Sequence, residues 1–302
     1  GFTALGARIS MGYGYVEAWA SQLQGARICL DYPSVGATEN LMMGACLARG
    51  TTVIENAAAE PEVGDLAALL NAMGGRISGA GSPIVTIEGV SELKGAKHRI
   101  IPDRIEAGTY LTAAAITGGR LRVENVISQH LEPVLAKLRE AGFTVEVEED
   151  GGAVTVSGAA RPAAVDVKTM PYPGFPTDLQ PQMLALMTLS EGISLITENV
   201  FENRFMHVDE LKRMGAHIRV QGRTAVVEGV PGLTGAPVKA TDLRAGAALV
   251  LAGLAARGQT EISYVHHIDR GYVEMEKTLK RLGAKIQRYS NQEVAFDAAV
   301  SG

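Results

Sequence analysis

Aromatic residues make up only 5% of this 302-residue chain, and cysteines number two. Each shortage excludes something. Two thiols, Cys29 and Cys46, cannot frame a disulfide scaffold. Both fall in apolar runs, Ile28-Cys29-Leu30 and Ala45-Cys46-Leu47, so both are expected as small buried hydrophobes. The most apolar stretch, Ala245 to Ala256, is too short to cross a bilayer. No basic excess is present. The formal net charge of −5 excludes a general nucleic-acid surface while allowing a local basic cleft. No signal-peptide pattern is recognised, and a reducing cytoplasm is the expected location. No glycine fingerprint for dinucleotides or phosphates follows a strand pattern; Gly74-Gly75 and Gly79-Ala80-Gly81 read as turns. His266-His267 lacks Cys or Glu at ligand spacing, so no metal site is expected.

Glycine, in contrast, is abundant and periodic. Gly6, Gly74, Gly142, Gly215 and Gly283 each close an amphipathic stretch, at intervals of 68, 68, 73 and 68 residues. A second series, Gly50, Gly119, Gly192 and Gly258, ends apolar helices and precedes β-branched strands such as Ile193 to Asn199. Each unit therefore reads apolar helix, Gly, strand, amphipathic helix, Gly, strand, turn, strand. Helices such as Ala245 to Ala252 have no polar face and must be buried. Strands such as Ile218-Arg219-Val220-Gln221 alternate, so one sheet face meets water. The expected class is α/β (α+β) with helices inside and sheets outside. The first unit starts partway through its pattern, and an N-terminal portion is expected to be missing.

The buried helices begin at Ser34-Val35-Gly36, Pro102-Asp103-Arg104, Pro176-Thr177-Asp178 and Ala240-Thr241-Asp242-Leu243-Arg244. Each start offers a capping side chain. Each also carries roughly half a positive charge and free N–H donors, a ready anion site. Arg104 and Arg244 sit in first turns, where the helix dipole opposes them; Arg204 and Arg270 follow strands. A fork of donors suits phosphate and carboxylate. Asp178 has no arginine beside it in sequence and is expected to be free to accept a proton. Glu60 and Glu62 flank Pro61 at another helix start.

These segments carry a resemblance. Ser34-Val35-Gly36-Ala37-Thr38-Glu39-Asn40, Glu60-Pro61-Glu62, Ile101-Pro102-Asp103-Arg104-Ile105-Glu106, Phe175-Pro176-Thr177-Asp178, Phe201-Glu202-Asn203-Arg204-Phe205-Met206-His207 and Ile268-Asp269-Arg270-Gly271-Tyr272 resemble the UDP-N-acetylglucosamine 1-carboxyvinyltransferases along essentially the whole chain. The resemblance implies inside-out, barrel-like domains of repeated βαβαββ units, the enolpyruvyl transferase fold. Residues 1–101 would be the rest of a first, incomplete domain and 102–302 the second. It implies transfer of the enolpyruvyl group of phosphoenolpyruvate to the 3-hydroxyl of UDP-N-acetylglucosamine, the first committed step of peptidoglycan synthesis. No metal or organic cofactor is implied, nor any nucleic acid or membrane partner; oligomeric state stays open. By similarity Asp178 is the base, while Arg244 and Arg270 hold the phosphoenolpyruvate side. Ser34, Val35 and Gly36 take the diphosphate on backbone N–H groups. Arg104, Thr177, Val200, Arg204 and Asp242 help hold substrate, and Glu60 and Glu62 lie at the same cleft. The family's N-terminal Lys-Asn pair, reactive-Cys loop and further arginine have no counterpart here; Cys29 and Cys46 do not stand in. The chain alone is therefore expected to be inactive and less stable.

Overall fold

The computed structural model describes residues 1–158 and 161–289; the end of the expected second domain, 290–302, lies outside them. The chain divides into two compact units, Gly1–Asp103 with Thr169–Pro176, and Arg104–Lys168 with the chain from Thr177 onward.

The first unit opens with an antiparallel hairpin, β1 (Arg8–Met11) and β2 (Val16–Trp19), exposed along both strands. Next come β3 (Arg27–Cys29), α1 (Val35–Ala45), β4 (Thr51–Glu55), α2 (Pro61–Ala72), β5 (Arg76–Ser78) and β6 (Ile84–Glu88). The sheet order is β3-β4-β6-β5, with β3 parallel to β4 and the other pairs antiparallel. Inward positions are Thr52 and Ile54 on β4 and Val85 and Ile87 on β6, while the alternate residues are half-buried or exposed. Ile54, Val85 and Ile87 pack against Leu41, Met42 and Val63 of the two helices. Thr169–Pro176 belongs to this unit as a small loop, where Met170 N–H bonds to the Phe175 carbonyl at 3.0 Å and Phe175 is buried.

The second unit repeats the plan. It runs α3 (Arg104–Ile116), β7 (Arg120–Glu124), α4 (Glu132–Glu140), β8 (Phe143–Val147) and β9 (Ala153–Gly158). A full copy follows as β10 (Val167–Lys168), α5 (Gln180–Met187), β11 (Ile193–Thr197), α6 (Val208–Arg213), β12 (His217–Gln221) and β13 (Thr224–Glu228). A last partial copy holds β14 (Pro237–Lys239), α7 (Leu243–Ala255), β15 (Glu261–Ser263) and α8 (Met275–Arg281). The order β10-β11-β13-β12 reproduces that of the first unit, so βαβαββ is the building block. Sheets remain open among the described residues, with two to four strands each; no barrel closes.

The first helices α3, α5 and α7 pack against one another; α5 is buried throughout, α3 from Ala107 to Ile116 and α7 from Ala245 to Ala252, as their lack of a polar face requires. Small residues permit the approach: a Cβ on Gly108 of α3 would lie 2.4 Å from Leu179 Cδ1. The second helices end as expected, with φ of +100° at Gly74, +94° at Gly142, +91° at Gly215 and +99° at Gly283.

Two readings change. In the pair Gly118-Gly119 it is Gly118 that turns, at φ +64°, and Gly119 N–H bonds back to the Ala114 carbonyl at 2.9 Å. Cys29 is exposed, because Ile28 takes the inward position of a three-residue strand and alternation turns Cys29 outward. Cys46 is buried, and burial raises its pKa. No helix among the described residues is long and apolar enough to cross a membrane.

Candidate functional site

In the second unit two helix starts and one loop supply a single cluster. Asp178 lies in the 3-10 turn Thr177–Leu179 that leads into α5. Arg244 is in the first turn of α7, where Asp242 is the N-cap and its Oδ1 accepts from Arg244 N–H at 2.8 Å and Ala245 N–H at 2.9 Å. Arg204 comes from the loop between β11 and α6. Its Nη2 donates to Asp178 Oδ1, and Arg244 Nε donates to Asp178 Oδ2 at 3.1 Å, with Arg244 Nη2 paired to the same oxygen at 3.1 Å. Side-chain exposure is 7% for Arg204, 11% for Arg244 and 38% for Asp178, so two sheltered cations hold one carboxylate that still reaches solvent. Asp178 is therefore not free of arginines, as its sequence neighbours suggested. Both partners arrive from distant elements.

A second layer fixes Arg204. Its Nε donates to Thr177 Oγ1 at 3.2 Å, and the Thr177 hydroxyl donates to Glu198 Oε2 at 3.0 Å. Glu198 Oε1 accepts from Val200 N–H at 2.8 Å and Phe201 N–H at 2.9 Å, which shapes the loop. The Phe201 ring lies 4.8 Å from the Arg204 guanidinium carbon. His207, wholly buried at the start of α6, has no hydrogen-bond partner on either ring nitrogen among the described residues. Burial lowers its pKa to about 4, opposed by the Asp242 charge and the Arg204 backbone and assisted by the Arg204 charge.

The first unit holds a separate set. Ser34 caps α1: its Oγ accepts from Ala37 N–H at 3.3 Å, while its own N–H bonds the Tyr32 carbonyl at 2.7 Å. Val35 and Gly36 begin the helix, and their N–H groups have no partner among the described residues. The open donors at this end are thus two of the three expected; Ser34 serves as cap. Thr38 ties the helix start to the loop before α2 by accepting from Ala58 N–H at 3.0 Å. Glu60 is the N-cap residue of α2 and Glu62 is in its first turn. Glu60 Oε1 accepts from Tyr172 N–H at 3.2 Å. Both glutamates lie near enough to Glu39 to help raise its pKa, after burial as the main cause.

Arg104 opens α3, half-buried. Arg270 is exposed at the end of the 3-10 segment Val265–Arg270, and its neighbour Asp269 pairs with Arg288 at 2.6 Å. Sequence reading missed Glu198, His207, Thr109, Gln182 and a role for Tyr272. Four of these are polar residues in apolar or β-rich settings, and that polarity was the available signal.

The profile of the EPSP synthase (3-phosphoshikimate 1-carboxyvinyltransferase) family matches residues 1–279. UDP-N-acetylglucosamine 1-carboxyvinyltransferase 1 of Caldanaerobacter subterraneus subsp. tengcongensis is 62% identical over 288 residues, covering 95% of this chain and 69% of that protein. UDP-N-acetylglucosamine 1-carboxyvinyltransferase 2 of Carboxydothermus hydrogenoformans is 59% identical over 291 residues, covering 96% of this chain and 70% of that protein. Among solved structures, the enolpyruvyl transferase NikO from Streptomyces tendae superposes with a TM-score of 0.85 at 28% identity, covering 95% of this chain and 70% of that one. EPSP synthase from Acinetobacter baumannii, at 20% identity and a TM-score of 0.71, covering 94% of this chain and 69% of that one, shares the fold.

Proposed function

Because the chain belongs to the EPSP synthase family of 1-carboxyvinyl transferases, we propose that it serves the transfer of an enolpyruvyl group from phosphoenolpyruvate to the 3-hydroxyl of UDP-N-acetylglucosamine, with release of phosphate. The observation that carries the acceptor is the 62% identity to an enzyme of that name across 95% of the chain. The process is peptidoglycan synthesis in the cytoplasm, and through it cell shape and division.

The site chemistry supports this reading. An ionised carboxylate can accept about four hydrogen bonds, and the guanidiniums of Arg204 and Arg244 leave Asp178 acceptor capacity on its exposed side. There it accepts the 3-hydroxyl proton as the sugar oxygen bonds to the enol carbon and the bond from that carbon to the phosphate oxygen breaks. Arg244, with Arg270, holds the phosphoenolpyruvate anions, and preset cations stabilise developing negative charge without reorganising. Thr177, Val200, Arg204 and Asp242 shape this part of the site. The N–H groups of Val35 and Gly36 take the diphosphate, with Ser34 presenting them and Arg104, Glu60 and Glu62 holding further polar groups. The two domains divide near residues 101 and 102. Proton acceptor and cations in this proposal are all side chains.

Calorimetry with the two candidate acceptors tests it. UDP-N-acetylglucosamine should bind and shikimate 3-phosphate should not. The opposite preference would assign the chain to the other acceptor, and binding of neither would remove the proposal.

A further inference from the structure

Asp178 restrains the Arg244 guanidinium on one side only. On the other, Arg244 Nη1 donates to the Tyr272 hydroxyl at 3.2 Å, and the guanidinium carbon lies 5.5 Å from the centre of the Tyr272 ring. Tyr272 is 1% exposed. Its hydroxyl meets Thr109 of α3 at 2.9 Å and Gln182 of α5 at 3.3 Å, and Gln182 Nε2 also donates to Thr109 Oγ1 at 2.9 Å. Thr109 and Gln182 are fully buried.

The direction of every bond in this knot follows by elimination. Thr109 Oγ1 lies 2.8 Å from the Ile105 carbonyl, which can only accept, so the Thr109 proton goes there. Thr109 is then an acceptor toward Tyr272, and the tyrosine proton points at Thr109. What remains on the tyrosine oxygen is lone pairs, which receive Gln182 and Arg244. A hydroxyl in water turns freely; this one presents a fixed acceptor to one guanidinium nitrogen.

We propose that Tyr272 is a positioning residue for Arg244, its hydroxyl aimed by Thr109 as an acceptor that holds the guanidinium in place. The inference rests on the reading of Arg244 as a substrate-holding group. The chain beside Tyr272 fits the same purpose. A Cβ on Gly271 would stand 3.2 Å from Arg244 Nη1 and 2.7 Å from Leu243 Cδ1, so backbone packs closely against the cation. An arginine held by Asp178 on one edge and Tyr272 on the other has little rotamer freedom left to lose when an anion arrives.

The test reads the arginine before any substrate is added. Solvent exchange of the Arg244 Nε–H proton, followed in a ¹⁵N-labelled sample, should be slow in the parent protein. In Tyr272→Phe it should speed up by roughly tenfold or more, the scale of one hydrogen bond to a charged group. Thr109→Val, which removes only the group that aims the hydroxyl, should move it in the same direction by less. Gln182→Leu disturbs the same buried knot without touching the Tyr272–Arg244 bond, and should change the rate by under about twofold. In calorimetry, Tyr272→Phe should weaken phosphoenolpyruvate binding roughly tenfold and leave that of UDP-N-acetylglucosamine within about twofold. Unchanged exchange in Tyr272→Phe or Thr109→Val overturns the proposal. So does equal loosening in Gln182→Leu, which would mean general softening of the core. The expected exchange pattern in a protein that binds neither phosphoenolpyruvate nor UDP-N-acetylglucosamine upholds the positioning role and rejects the functional reading instead.

Discussion

Two sheltered guanidiniums around one carboxylate make Asp178 a structural necessity as well as a proposed base. Asp178→Ala leaves Arg204 and Arg244 without their shared counter-charge, at side-chain exposures of 7% and 11%. It should cost about 3 kcal/mol, the scale for breaking a sheltered ion pair, measured as a lower urea midpoint; an unchanged midpoint would mean that water already screens the pair. His207 provides a pH test. Its pKa is about 4 in the fold, against 6.5 as the ordinary value. Between those values the unfolded ring binds more protons than the folded one, so stability falls as pH drops from 6.5 towards 4. The loss attributable to this ring should reach about 3 kcal/mol. Thermal melts across that window should show a shallower acid slope in His207→Leu than in the parent; parallel slopes would mean that the ring finds a proton partner. Neither Glu198 nor Gln182 was legible as part of the site. Each acts through partners far away in sequence, and a polar residue within an apolar run looks the same whether it is bonded or tolerated.

Glycines separate two kinds of constraint at the level of the helix. Gly215 ends α6 at φ +91° with open space where a Cβ would go. Gly215→Ala should therefore cost about 1 kcal/mol from backbone strain alone. Gly108 sits within α3, where alanine is the better helix former, yet a Cβ there meets Leu179 at 2.4 Å. Gly108→Ala should still destabilise, by about 1–3 kcal/mol, through overpacking between helices. Chemical denaturation of the pair separates the effects, and a stabilised Gly108→Ala would show that Leu179 can move aside. The repeat was legible because left-handed helix ends demand glycine and because helices apolar on all sides have only the interior to occupy. Gly118 escaped since two adjacent glycines are equally able to turn, and the hydrogen bond from Gly119 to Ala114 decides between them. Cys29 was misread because a short apolar run does not reveal which residues of an edge strand face inward. Open sheets were likewise beyond the pattern: alternation states that a face is wet, not whether edges meet.

Over the whole molecule, one block of strand order is used repeatedly, β3-β4-β6-β5 in the first unit and β10-β11-β13-β12 in the second. The sequence period announced this block. What no period announces is the excursion of Thr169–Pro176, a short piece of chain that leaves the second unit, joins the first, and returns just before Asp178. The first unit is thus stitched from two separate lengths of polypeptide. A gene cut after Asp103 would produce a fragment whose Glu60 has lost the Tyr172 N–H that its Oε1 accepts, leaving a sheltered carboxylate short of a donor. Such a fragment should be rescued by a synthetic peptide of residues 169–176 added in trans, much as a missing thread restores a seam.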